Sequence, residues 1–268
     1  MTIERDEAVA VNRKGWDKVA PLFYGGTALP KYGPLATTED QLHLIDDLKD
    51  KAVLELGCGS GHSLEYLYRE RKAAELWGLD LSQEQIRLAR EFLKSKNISA
   101  CLLLGSMDEN LGIPENHFDC IVSIYGLGWT PDLARTLALV NSYLKPNGIF
   151  VFSWEHPAYR CLVYRLESNE YVFAEPYTKE GAEIHLSWKG IDTPIVMHPR
   201  TLSTYLNAII DAGLVIERVV ESEPNLELAR EQDFAPDKWY SVPRAKLIPT
   251  TFIVKSRKPN NGLKTNGP

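Results

Sequence analysis

The 268-residue sequence is short of several things, and each shortage narrows what the chain can be. It has only four cysteines, Cys58, Cys101, Cys120 and Cys161, and no two stand at the close spacing of a metal or redox motif. Dispersed thiols of this kind suit a reducing compartment, and a cytoplasmic location is the expectation. No apolar run approaches the ~18 residues of a membrane span, so no membrane insertion is expected. Met1 to Val11 lacks the basic start and apolar core of a secretory leader. Basic residues are not in excess: 30 Lys and Arg face 36 Asp and Glu, for a net charge of −6. That balance argues against a non-specific nucleic-acid surface. The six histidines form no tight ligand set with carboxylates, so no metal is expected. No Ser-His-Asp or Cys-His arrangement for covalent catalysis stands out.

What is present is the ordinary material of a globular α/β protein, 44% apolar and 25% charged. The organising stretch is Val53-Leu54-Glu55-Leu56-Gly57-Cys58-Gly59-Ser60-Gly61. An apolar run enters three alternate glycines, and a helical pattern of Leu64, Leu67 and Tyr68 follows, which reads as strand, turn and helix. Glycine lets such a turn adopt positive φ and approach a ligand closely. A dinucleotide fingerprint would need glycine at position 62, where this chain has His62. Asp80, about twenty residues on at the end of the next apolar run, is where an acidic side chain can hold a ribose diol.

Around this unit the periodicity alternates. Strands are predicted at 52–56, 75–79, 101–104, 120–124 and 149–153, with helices at 61–71, 83–95 and 132–144 between them. This spacing predicts a mostly parallel sheet with helices on both faces. Helices at 8–24 and 38–48 precede it. Residues 155–198, rich in Tyr, Trp and His, break the rhythm and read as an inserted hairpin or lid. A helix at 201–212 and strands at 214–220 and 248–255 complete the core. Residues 1–48 are expected to form an entry or lid segment, 49–258 the main domain, and 259–268 a disordered tail.

The chain resembles the class I S-adenosylmethionine-dependent methyltransferases, in particular the small-molecule branch related to ubiquinone and menaquinone enzymes. The glycine stretch is similar to the family's first motif and Gly78-Leu79-Asp80-Leu81-Ser82 to its second. Gly105-Ser106-Met107-Asp108, with Ile113-Pro114 and Phe118-Asp119, is similar to the third. Leu144-Lys145-Pro146-Asn147-Gly148 resembles the turn that follows, with Asn147 for a glycine. Asn12 to Tyr24 is similar to an N-terminal cofactor lid.

The resemblance implies a Rossmann-like, seven-stranded sheet of order 3-2-1-4-5-7-6 with strand 7 antiparallel. It implies S-adenosyl-L-methionine as cofactor and S-adenosyl-L-homocysteine as product. Gly57, Cys58 and Gly59 would offer backbone to the cofactor's amino acid part, with Glu55 fixing the loop or the ammonium group. Asp80 would accept both ribose hydroxyls and Leu81 would pack on the adenine. Met107 and Asp108 would hold the adenine, Tyr125 would face the sulfonium, and Trp16 and Tyr24 would close the lid. Each has a plainer alternative: a structural turn, a cap partner for Glu55, a turn-capping Asp108, a core Trp16.

Methyl transfer needs alignment, and a base only when the acceptor must lose a proton. His156, just past the fifth strand, is the expected base, with a loop-ordering role as its alternative, and His185 and His198 rank behind it. The acceptor is expected to be a small, flat, largely apolar molecule lodged among Tyr125, Trp129, Trp154, Tyr159 and the lid aromatics. The competing readings are a nicotinamide-dependent oxidoreductase, which the missing glycine and the absence of a Tyr-x-x-x-Lys pair disfavour, and a cofactor-binding scaffold without catalysis. Monomer and homodimer are both open.

Overall fold

Strand β1 (Ala52–Leu56) sits in the middle of a seven-stranded sheet, and all five of its residues are buried. A strand covered on both faces needs a continuous apolar run rather than an alternating one, which is why this stretch lacks a polar period. The structure, a computed structural model, describes residues 3–230 and 234–260. β1 pairs in parallel with β2 (Glu75–Asp80) on one side and β4 (Phe118–Ile124) on the other. Beyond β2 lies β3 (Cys101–Leu104), and beyond β4 lies β5 (Leu144–Glu155), both parallel. Two late strands, β10 (Val215–Glu221) and β11 (Thr251–Arg257), finish the sheet, β11 running antiparallel between β5 and β10. The order is β3-β2-β1-β4-β5-β11-β10. With the four strands of the insertion set aside, this is the expected 3-2-1-4-5-7-6.

Successive residues of β1 point to opposite faces and seed two cores. Val53 joins Leu64 and Leu67 of α3 (His62–Arg69) and Ile86 and Leu93 of α4 (Gln83–Ser95). Leu54 joins Leu137 and Val140 of α5 (Leu133–Tyr143) and Tyr205 and Ile209 of α6 (Leu202–Asp211). The helix starts are fixed by side-chain caps, Ser82 to Gln85 N–H at 3.1 Å and Asp132 to Arg135 N–H at 2.9 Å. Each such cap is worth about 1 kcal/mol.

The N-terminal segment departs from the periodicity. Helix α1 (Arg5–Val19) starts earlier than predicted and gives way at Ala20–Phe23 to a tighter turn at Pro21. The predicted helix at 38–48 shrinks to one turn, α2 (Glu39–Leu42), ended by His43 at φ 50°. Glu39 is the cause: its buried carboxylate takes the N–H groups of Leu44 and Ile45 and the Tyr32 hydroxyl, which pulls the following backbone inward.

The 155–198 segment is two hairpins, β6 (Leu162–Arg165) with β7 (Glu170–Phe173) and β8 (Glu183–Trp188) with β9 (Ile191–Met197). The second lies against α1. The Asn12 amide donates to Val196 O at 2.8 Å and accepts from Val196 N–H at 2.7 Å, so this side chain pairs with the strand as a backbone would. Asp17 accepts from Ser82 Oγ at 2.6 Å and Glu84 N–H at 3.1 Å, tying the other end of α1 to the start of α4. The short helix α7 (Val242–Ala245) leads into β11. Pro259 and Asn260 carry no regular structure, and the rest of the expected disordered tail, 261–268, lies outside the described residues. Among the described residues no helix is long and apolar enough to cross a membrane.

Candidate active site

The carboxyl ends of β1, β2, β4 and β5 meet at one edge of the sheet, where open α/β folds bind ligands. A cavity of about 630 Å³ opens there. Its floor is the Gly57–Ser60 turn, Asp80 and Leu81 at the end of β2, Gly105 to Met107 after β3, and Ile124 to Gly126 at the end of β4. Its cover comes from Trp16, Phe23, the 25–35 segment, His185 and Trp188 of β8, and Trp239 and Tyr240 of the late loop.

The turn's three glycines are required by its backbone. Gly57, Gly59 and Gly61 have φ of 73°, 50° and 82°, left-handed values that side-chain-bearing residues rarely adopt. The Gly57 and Cys58 N–H groups both donate to Leu79 O, at 2.8 and 3.0 Å, and Gly59 N–H donates to Asp80 Oδ2 at 2.8 Å. These three amides are therefore committed, and the turn meets a ligand with carbonyls and bare Cα atoms. Asp80 takes Ser82 N–H on its other oxygen at 2.9 Å. Burial, opposed by these bonds, pushes its carboxyl up to about 6.

Glu55 lies behind the turn, 2% exposed, with Oε2 unpartnered. Burial outweighs a bond from Ser63 and raises it to about 8. Its carboxyl is not part of the cavity wall. Leu81, Met107 and Trp16 are, and Trp16 meets Phe23 and Trp129 edge-on, each at 5.0 Å. Tyr125 is also in the wall, held at φ 54° with its hydroxyl 2.6 Å from Thr251 Oγ1. A bulky residue in the left-handed region is uncommon and marks sites where geometry is imposed.

Tyr24, Asp108 and His156 also stand outside the wall. Tyr24 packs its ring on His62 at 4.8 Å, nearly half exposed and outside the cavity; Phe23 takes the covering place. Asp108 is fully buried and turned away, bound by Arg5 Nε at 2.9 Å, Arg5 Nη2 at 2.8 Å and Ser106 Oγ at 2.5 Å. It has no free face for an adenine amine. His156, the expected base, is also outside the wall. Its Nε2 is 2.5 Å from Glu221 Oε1, and its Nδ1 accepts Ala158 N–H at 3.2 Å, which orders the loop after β5. Of the lower-ranked histidines, His198 is buried outside the cavity and pushed down to about 4 by burial. His185 lines the cavity with Nε2 buried and unpartnered.

The sequence reading passed over Glu155, Trp239 and Tyr240. Glu155 closes β5 in the wall, and Trp239 Nε1 and Tyr240 Oη both donate to its Oε2, at 2.5 and 2.8 Å. The signal was an adjacent Trp-Tyr pair in an otherwise polar stretch. Tyr159, expected in the acceptor pocket, lies one layer back, fully buried and stacked on Tyr240 at 5.8 Å. Five of the chain's six tryptophans line the cavity: Trp16, Trp129, Trp154, Trp188 and Trp239.

Comparison with known proteins agrees with this architecture. Residues 53–148 match the family model of a methyltransferase domain. An uncharacterized protein of Haemophilus influenzae is 32% identical over 189 residues, covering 67% of this chain and 73% of that one. A fatty-acid O-methyltransferase of Mycolicibacterium smegmatis is 28% identical over 161 residues, 56% of this chain and 58% of the relative, so less than two thirds of that enzyme is spanned. The solved structure of an S-adenosylmethionine-dependent methyltransferase from Mesorhizobium loti aligns with a TM-score of 0.63 at 27% identity, over 81% of this chain and 95% of that one. The chain belongs to the class I S-adenosylmethionine-dependent methyltransferases. Its cofactor is S-adenosylmethionine.

The residues present fit that cofactor. An acidic side chain stands at the end of β2 for a diol, and the turn's own committed amides do not form a phosphate cradle. Gln85 Oε1, in the wall beside Gly59, is buried without a partner, an acceptor left over for a ligand's donor.

Proposed function

We propose that this methyltransferase acts on a small, largely apolar and flat acceptor at an oxygen, carbon or nitrogen atom, as in the small-molecule branch of its family. The observation that carries this reading is the ring of tryptophans. Trp129 touches Trp16, Trp154 and Trp188 edge-on, at 5.0, 5.5 and 5.5 Å, and all four line the cavity. Large rigid rings with few polar atoms favour an aromatic or apolar body over a charged polymer.

In this reading Asp80 takes the ribose hydroxyls, and Leu81 and Met107 pack against the adenine. The Gly57-Cys58-Gly59 backbone meets the amino acid part, with Glu55 behind it. Tyr125 stands where donor and acceptor meet. Residues 1–48, with Trp16 and Phe23, and the 155–198 insertion cover the main domain as one lid. Bound cofactor supplies an electrophilic methyl on a cationic sulfur. The chain's own residues align the two partners and exclude water, which is where most of the acceleration arises.

The test is calorimetric titration with S-adenosylhomocysteine and with NAD, followed by transfer of labelled methyl to flat aromatic acceptors. Binding of the homocysteine product and labelling of such an acceptor support the reading. Stabilisation by NAD alone would overturn it.

A further inference from the structure

Among the described residues the cavity wall carries one carboxyl group besides Asp80. Glu155 is 9% exposed and stands in the wall beside Trp154. Both of its donors, Trp239 Nε1 and Tyr240 Oη, bind the same oxygen, Oε2. Among the described residues Oε1 receives no hydrogen bond. Nearby, the Tyr125 hydroxyl meets Thr251 Oγ1 at 2.6 Å. Two donors on one oxygen hold the carboxyl and leave the other oxygen open to an occupant of the cavity.

The groups facing Glu155 are two cations and four phenols. Arg244 is committed to the carbonyls of Trp239, Tyr159 and Leu162 and sits between the Tyr159 and Trp239 rings, 4.1 and 4.5 Å from their centres. Arg160 pairs with Glu183 at 3.5 Å. Tyr125, Tyr159, Tyr205 and Tyr240 all have their hydroxyls raised by burial, so they stay neutral around pH 7. Neither arginine bonds Glu155 directly. Burial outweighs the two donors and the arginines, and the carboxyl is raised from its usual range.

We propose that Glu155 is the proton acceptor of the methyl-transfer site, and that the group it deprotonates is a phenol- or enol-type hydroxyl, not a carboxylate. The proposal rests on the methyltransferase reading of the cavity. Two donors on Oε2 pin the carboxyl plane and leave Oε1 as the atom that takes a proton. The acceptor's O–H proton passes to Oε1 as its oxygen bonds the methyl carbon; the carbon–sulfur bond breaks and its electron pair stays on sulfur. A carboxylate whose pKa is raised is a stronger base than an ordinary one. A carboxylate acceptor would bring a second negative charge against Glu155 in a buried site. His156 is bound to Glu221 outside the wall and cannot serve. His185, in the same cavity wall with its Nε2 buried and unpartnered, is the competing candidate.

The test uses the full chain saturated with S-adenosylhomocysteine, titrated calorimetrically with 2-naphthol and with decanoate from about pH 5 to pH 9. At pH 7 the wild type should bind 2-naphthol at least about tenfold more tightly than decanoate, and that affinity should fall as Glu155 protonates. Glu155→Gln, which keeps an acceptor for Trp239 and Tyr240, should remove the pH dependence and tighten decanoate by about tenfold. Tyr240→Phe should move the midpoint to higher pH, because the carboxylate loses a donor. With S-adenosylmethionine, Glu155→Gln should slow 2-naphthol methylation by roughly 10²–10⁴-fold at pH 7. That deficit should shrink above the phenol's own pKa. Three results overturn the proposal: wild type that does not bind 2-naphthol or binds decanoate equally well, Glu155→Gln that keeps the pH dependence, or His185→Gln that abolishes it instead. Failure of the wild type to bind S-adenosylhomocysteine at all would instead overturn the reading of the cavity.

Discussion

The guanidinium of Arg5 closes on the carboxylate of Asp108 through two bonds, at 2.9 and 2.8 Å, joining the first turn of α1 to the loop after β3. Asp108 is fully buried and Arg5 is one-third exposed. Arg5→Met would leave the carboxylate without its charged partner. The expected loss is about 1–3 kcal/mol, since water reaches part of the pair. Urea unfolding should read it as a lower midpoint at unchanged slope. S-adenosylhomocysteine should also bind more weakly, because α1 carries Trp16 over the cavity. Unchanged stability would mean that the clasp holds nothing.

Glu55 makes stability depend on pH. Its folded value, about 8, lies above the ordinary carboxyl value of 4.5. The folded state therefore binds more protons between these values. Its contribution is fully present below pH 4.5 and is lost as pH rises to 8. Glu55→Gln stays neutral throughout, so it should match the wild type near pH 4 and exceed it by up to about 5 kcal/mol at pH 9. The difference between the two melting curves isolates Glu55 from Asp80 and Glu155, which slope the same way. Parallel curves across this range would refute the buried-carboxyl assignment.

Gly128 is where the tryptophan ring is tightest. A Cβ there would fall 1.8 Å from Trp154 Cζ2 and 1.9 Å from Cε2. Gly128→Ala should displace the indole at a cost of about 1–3 kcal/mol. The acceptor's KM should rise while S-adenosylhomocysteine affinity holds, because Trp154 belongs to the proposed acceptor wall. Equal loss of both would contradict the division of the cavity.

His156 should prove structural. His156→Ala loses the bond to the half-exposed Glu221 and should cost about 0.5–1.5 kcal/mol in thermal unfolding. The pH profile of methyl transfer should not change. A shifted or flattened profile would restore His156 as a base.

Much of this fold was legible because local pattern and tertiary demand agreed. The β1 run, the alternate glycines and the capped α4 each had one physical solution. Part of the cavity wall was legible for the same reason, since Asp80 ends β2 and Leu81 and Met107 follow β2 and β3. What the sequence concealed depended on distant partners. Asp108 could serve an adenine until Arg5, a hundred residues earlier, is seen to bind it. Helix 38–48 had good periodicity, but the inward turn of Glu39 overrode it. Glu155 and His156 are neighbours at the end of β5 and face different surroundings. Only the late loop, with Trp239 and Tyr240, distinguishes them, and no periodicity announces where a loop returns.

The most direct measurement is the calorimetric affinity of S-adenosylhomocysteine for the wild type and for Asp80→Asn. Asp80 holds the Gly59 and Ser82 amides and stands in the cavity wall. Its replacement should weaken binding by roughly 10–100-fold, the worth of one or two charge-assisted hydrogen bonds. A wild type that ignores this ligand, or a variant that binds it equally well, would contradict a cofactor seated across the glycine turn and Asp80.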